Sequence, residues 1–219
     1  EFLSRSYITV DLKRTLFHRA FIGNVAFVDC TWPDDFVIYE EKHMKEEDMT
    51  FKELETIYRG LKQNLQNHGD YTTAGKFYYR EMEMRRKGAS KKGRLWLEIY
   101  RFLAGYGEKP RLVIRNSFLV IFLAACLFFF CGVARVGTEL PAEENPDVIN
   151  YSLYSVTLNI EALKDFGYCM YYSVVTFTTL GYGDIHPMGY SYVVASAEAL
   201  CGAFLMALFV VAFSRKMMR

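Results

Sequence analysis

The sequence lacks an excess of either charge, a cysteine framework and any catalytic constellation. Lys and Arg number 26 against 25 Asp and Glu, a net charge of +1 over 219 residues. Bulk electrostatics therefore gives no reason to expect a nucleic acid as partner. The five cysteines are scattered: Cys126, Cys131 and Cys201 in apolar runs, Cys30 in a polar stretch, Cys169 near a glycine-rich loop. Their spacing matches no zinc site. A cysteine in an apolar run acts as a small hydrophobe, so reduced thiols are expected. No cluster of His, Cys or carboxylates resembles a catalytic site, so neither an enzyme nor a cofactor is expected. The first residues do not read as a signal peptide, so none is expected. There is no initiator Met either, which leads us to expect a cut or processed N-terminus.

What is present is unevenly placed. Residues 1–115 are polar and charged, and most of the apolar content follows. "FLVIFLAACLFFFCGVA", residues 118–134, carries no charge. Extended back to Leu112 it reaches the roughly 20 residues that cross a bilayer. "YVVASAEALCGAFLMALFVVAF", residues 192–213, is a second such run with one acid, Glu198. Arg101, Lys109, Arg111 and Arg115 precede the first run, and Arg215, Lys216 and Arg219 follow the second. Basic flanks stay in the cytoplasm, which puts both termini inside a cell membrane and the intervening loop outside. Between Arg135 and Asp165 that loop holds six acids (Glu139, Glu143, Glu144, Asp147, Glu161 and Asp165) and two bases (Arg135 and Lys164). Such a loop favours cations at its surface; a merely solvated acidic loop is the plain alternative.

A third apolar piece, "GYCMYYSVVTFTTL", spans residues 167–180. As a helix it would be about 20 Å long, too short to cross, so it should enter and return. Irregular backbone at membrane depth is tolerated only where it is buried in protein or lines water. The next residues, "GYGD", must then face a water- or ion-filled path. Two glycines admit left-handed dihedrals. Alternating left- and right-handed dihedrals can turn successive carbonyls to one side, and such a row can replace water around a cation. The C-terminal end of the preceding helix also favours a cation.

"TTLGYGD", residues 178–184, resembles the selectivity-filter signature of potassium channels, whose carbonyl mechanism is established for that family rather than read from these residues. The order span, short helix, filter, span resembles the two-transmembrane potassium channel family over roughly residues 112–215. The resemblance implies that Thr179, Leu180, Gly181 and Tyr182 offer backbone carbonyls to K+ as permeant ion, with the Thr179 hydroxyl as innermost ligand. Gly183 would open the outer mouth. Thr178, Val175, Tyr171, Tyr172 and Asp184 would support the filter. Leu180 stands where the usual motif has Val, and Val175 where many relatives have a Glu that pairs with the Asp. Gly202 falls near a glycine at which the family's inner helix bends; close helix packing is the alternative. Glu198, one turn earlier, is an intramembrane acid, and so a candidate for the gate or for a hydrogen bond to the back of the short helix. One loop supplies one row of carbonyls, so the resemblance implies a homotetramer around a central pore. No span repeats Arg at every third residue, so no voltage sensor is expected. No ligand-binding domain is expected after residue 219 unless it has been removed.

The polar half has its own patterns. Phe2, Tyr7, Leu12, Phe17, Ile22 and Phe27 recur every five residues, with mostly small residues at Val10, Thr15, Ala20, Val25 and Cys30. Period five fits neither helix nor strand. It resembles the pentapeptide-repeat family, a β-helix in which both registers point inward; thirty residues make about one and a half coils. Thr50 and Glu53 read as a capping box, and Phe51, Leu54, Tyr58, Leu61 and Leu65 as an apolar helical stripe. A break at Gly69 and a second helix from Asp70 resemble a tetratricopeptide-type hairpin. "FYYREMEMRRK" also resembles a segment that follows pentapeptide repeats in some bacterial membrane proteins. In "GRLWLEIYRFLAGYGEKP" the residues Leu95, Ile99, Phe102 and Leu103 share one face, and Arg94, Glu98 and Arg101 the other. That pattern suits a helix lying on the inner membrane surface, with Arg85, Arg86, Lys87, Lys91 and Lys92 near anionic lipid; a solvated basic turn is the plain alternative.

The expected fold is a mainly α membrane protein: two transmembrane helices with a re-entrant pore helix and filter, plus a small cytoplasmic N-terminal module. The expected domains are a β-helix stub (1–32), a linker (33–49), a helical hairpin (50–90), an interfacial helix (91–109) and a pore domain (110–219). Within the last, the first span covers about 112–134, the pore helix 167–178, the filter 179–184 and the second span 190–214. The expected function is passive potassium transport, with membrane lipids as neighbours and an unknown cytoplasmic ligand or protein partner at the N-terminal module. A weakly selective cation channel is the near alternative, against which Tyr182 speaks. A membrane-tethered repeat-domain scaffold is the distant one, against which the intact filter speaks.

Overall fold

The computed structural model describes residues 10–20, 22, 25–27, 30–46, 48–135, 147–151 and 160–217. The chain divides into two compact units. One comprises Glu1–Lys109 with Phe213–Arg219, the other Pro110–Ala212.

In the first unit the chain makes turns at five-residue spacing: the N–H of Thr15 reaches the Leu12 carbonyl, Ala20 that of Phe17, and Val25 that of Ile22. A parallel bridge then joins Asp11 to Thr31, twenty residues on. Leu12 and Phe17 are buried, and Ile22 and Phe27 pack partly buried against the same core as Phe17. The small register behaves otherwise than expected: Val10, Ala20 and Val25 are exposed. A single coil has only the neighbouring helices to pack on, and the large side chains take that face. Phe2 and Tyr7 lie outside the described residues.

A four-residue helix α1 (Tyr39–Lys42) is followed by α2 (Phe51–Asn67), α3 (Tyr71–Gly88) and α4 (Lys91–Ala104). Thr50 caps α2: its side chain accepts from the Glu53 N–H while Glu53 reaches back to the Thr50 N–H at 2.8 Å. Asp70 caps α3 by accepting from the Thr73 N–H at 2.9 Å. The stripe Leu54, Tyr58, Leu61 and Leu65 on α2 is buried with Ala74, Phe77 and Met84 of α3. Trp32 closes this core edge-on to Phe77, with ring centroids 4.8 Å apart. The carboxylates around it are shared: Glu81 receives Arg59 at 3.0 Å and Lys62 at 2.7 Å. On α4 the polar face turns to α3, where Glu98 meets Arg86 at 2.8 Å. Leu95, Trp96, Ile99 and Phe102 are left exposed. Gly105, left-handed at φ 53, ends α4.

The second unit holds α5 (Pro110–Cys131), strands β1 (Val133–Arg135) and β2 (Asp147–Ile149), α6 (Ile160–Phe177), β3 (Ile185–Pro187) and most of α7 (Ser191–Met217). Among the described residues, α5 and α7 are the helices long and apolar enough to cross a membrane. Gly132, at φ 96, stops α5 before the expected 134. The helix α6 starts at Ile160, not 167, and at 18 residues is about 27 Å long. The expectation that this helix does not cross therefore cannot rest on its length. Its first turns carry Glu161, Lys164 and Asp165, and only the part after them is apolar. The strands form an antiparallel sheet in the order β2-β1-β3, with Val133 opposite both Ile149 and Pro187. Phe128, Phe129, Val133, Ile149, Tyr172 and Ile185 belong to one core cluster. Glu139, Glu143 and Glu144 of the expected acidic loop lie outside the described residues.

Candidate functional site

The end of α6 builds the site. The Leu180 N–H reaches the Val175 carbonyl and the Thr179 N–H the Thr176 carbonyl, both at 3.0 Å. This pair is a Schellman motif, whose left-handed position is normally glycine. Here it is Thr179, at φ 57. A non-glycine residue there costs roughly 1–2 kcal/mol, and strain of this kind collects at working sites.

The left-handed state then recurs at every second residue. Gly181 has φ 58 and Gly183 φ 78, while Leu180 and Tyr182 are not left-handed. A Cβ on either glycine would meet no atom within 4 Å in this chain. Both are thus required by conformation rather than by space. Thr179, Leu180, Gly181, Tyr182, Gly183 and Asp184 are all exposed in the single chain. Thr178 donates its hydroxyl to the Val174 carbonyl at 2.7 Å, and Thr179 donates to the Thr178 carbonyl at 2.7 Å.

Behind this loop, Tyr172 is buried edge-on against Phe128, with centroids 4.7 Å apart. Val175 is buried as well. Asp184 finds its hydrogen bond one turn before Val175, from the Tyr171 hydroxyl. Immediately after Asp184, β3 pairs with β1, and the Met188 N–H reaches the Gly132 carbonyl at 3.1 Å. The chain leaving the loop is thereby fastened to the end of α5. Nothing in the sequence marked these three-residue strands.

Gly202 and Glu198 share one face of α7, one turn apart. Both are buried. A Cβ on Gly202 would lie 2.1 Å from the Phe177 carbonyl oxygen, so α7 rests directly on the last carbonyl of α6. Glu198 is hydrogen-bonded to Ser173 of α6, and Ser173 lies 2.8 Å from the Ile121 carbonyl of α5. Sequence reasoning overlooked Ser173 and Phe177. The available signal was their spacing of four, which matches that of Glu198 and Gly202.

The arrangement combines a helix C-terminus, a row of alternating backbone conformations and two bracing helices. One chain contributes one such row. A family model described as "Ion channel" matches residues 117–219. No curated protein and no solved structure matches the chain.

Proposed function

We propose that this chain is one subunit of a potassium-selective channel, assembled as a homotetramer and passing K+ down its electrochemical gradient without bond chemistry. The observation that carries this reading is the alternation of left-handed backbone at Thr179, Gly181 and Gly183, directly after α6. Its place between two membrane-capable helices, inside the matched segment 117–219, supports it. In the tetramer, the carbonyls of Thr179, Leu180, Gly181 and Tyr182 would stand in for the water shed by K+, with the Thr179 hydroxyl innermost. The α6 dipole adds partial negative charge at its C-terminal end. Tyr171, holding Asp184, and Tyr172, against Phe128, would keep the row in place in the absence of a carboxylate at Val175.

Both termini are read as cytoplasmic in a cell membrane, from the basic flanks of α5 and α7. The exposed apolar face of α4, behind Lys91 and Lys92, fits a helix lying on the inner leaflet. The five-residue turns and the twenty-residue bridge fit one coil of a pentapeptide-type β-helix. A ligand of this unit has a natural place in a cavity of about 660 Å³ lined by Lys62, Gln66, Tyr71, Tyr78, Glu108 and Arg215. Bending of α7 at Gly202 would carry the end of α6 with it, because the two touch there.

The test is ion uptake by vesicles containing the purified protein. Potassium-driven flux that sodium cannot replace supports the channel. Equal flux of both ions favours the weakly selective alternative, for which Leu180 and Val175 are the grounds. No flux leaves the scaffold.

A further inference from the structure

Ser173 is fully buried in α6, and its one hydroxyl has two neighbours. The Ile121 carbonyl of α5 lies 2.8 Å from Oγ, and the Glu198 carboxyl of α7 is closer still. A hydroxyl owns a single proton, and a carbonyl can only accept. With the Ser173 proton on Ile121, the contact to Glu198 needs a proton from the other side. An ionised Glu198 has none to give. Were Ser173 to donate to Glu198 instead, two oxygens 2.8 Å apart would face each other at Ile121 with no proton between them.

The surroundings point the same way. Glu198 is 4% exposed, and its Oε2 has no hydrogen-bond partner. The titratable side chain that faces it is Tyr172 of α6, and no cation faces it among the described residues. A buried carboxylate without a counter-charge is strongly disfavoured.

We propose that Glu198 is a positioning residue: it carries a proton and donates it to Ser173, which donates in turn to Ile121, tying α7, α6 and α5 together behind the loop 178–184. The inference rests on the channel reading for its consequence but not for its chemistry. One turn further along both helices, Gly202 meets Phe177. The two contacts fix α6 against α7 both along its axis and in rotation. They hold α6 on the face that carries Ser173 and Phe177, just before Thr179.

The experiment uses the full-length protein in planar bilayers, with wild type, Glu198→Gln, Glu198→Ala and Ser173→Ala. Glutamine keeps a neutral donor at the same place. It is expected to preserve the wild-type potassium-to-sodium permeability ratio, and to hold it when the pH is raised to a value at which the wild type begins to lose it. Each alanine variant is expected to lower the ratio roughly tenfold. A Glu198→Gln variant as impaired as Glu198→Ala would overturn the proposal, as would a Glu198→Ala variant with wild-type selectivity. Infrared difference spectroscopy reads the proton independently of conduction: the carbonyl stretch of a protonated carboxyl should be present in the wild type at neutral pH and absent from Glu198→Gln. If that band is present and no ion passes, the channel reading fails and the proton assignment stands. If the band is missing, the proton assignment fails whatever the flux.

Discussion

Replacing Gly202 by alanine adds one methyl group at a place with no room for it. The new Cβ would lie 2.1 Å from the Phe177 oxygen, 2.9 Å from its carbonyl carbon and 3.1 Å from its Cα. Ordinary non-bonded contacts are about 3.5 Å, so α6 and α7 must separate by roughly 1.4 Å. The obstructing atoms are backbone, so no side-chain rotation relieves the clash. Overpacking of this kind costs about 1–3 kcal/mol. At 2 kcal/mol a two-state equilibrium moves roughly thirtyfold. Phe177 is the last residue of α6 and lies two residues before the strained Thr179. The expected outcome for Gly202→Ala is therefore a lower melting temperature together with a reversal potential shifted toward zero in a potassium–sodium gradient. A pure hinge glycine would behave differently: alanine would change open probability and leave selectivity alone. An unchanged melting temperature with an unchanged reversal potential would refute the close-contact argument.

Other outcomes follow from the same structure. Gly181→Ala, forced to φ 58 with no steric neighbour, should cost roughly 1–2 kcal/mol locally, and should abolish selectivity in the bilayer while the protein remains folded by circular dichroism. Phe77 is fully buried between Trp32, Phe36 and Tyr58, so Phe77→Ala should destabilise the N-terminal unit by about 3–5 kcal/mol in denaturant titration. Glu83 titrates below the ordinary carboxylate value: burial pushes it up, but hydrogen bonds from Arg86 and Tyr106 and the charges of Arg86 and Arg101 outweigh this. Its contribution is present above the unfolded value and is lost as pH falls through the depressed one, so the melting temperature should drop below about pH 4. Glu83→Gln should reduce that slope without abolishing it, because Asp35 and Glu53 are also held below the ordinary carboxylate value; an unchanged slope would assign the effect elsewhere.

Features carried by long or strongly patterned stretches were legible in the sequence. The two membrane-capable helices needed only length and apolarity. Thr50, Glu53 and Asp70 announce their helices through local hydrogen bonds that any chain with those residues can form. The glycines of "GYG" announce left-handed backbone because glycine alone bears it cheaply. Thr179 does not announce its φ of 57, since that state is imposed by the Schellman end of α6 and the loop beyond it. The start of α6 was missed because Ile160–Asp165 is charged and amphipathic rather than apolar. The strands β1, β2 and β3 are three residues each, too short for alternation to show. Ser173 reads as one small polar residue in an apolar run; only packing reveals that it meets two other helices. The same holds for the exposed Val10 and Val25, whose five-residue register was visible but whose burial depends on what covers the coil.

The most direct measurement of the central claim is the reversal potential of the purified protein in planar bilayers, with potassium on one side and sodium on the other. The account requires a value near the potassium equilibrium potential, set by the carbonyl row from Thr179 to Tyr182. A value near zero would contradict it, and would make this a cation channel whose filter Leu180 and the carboxylate-free Val175 have left loose.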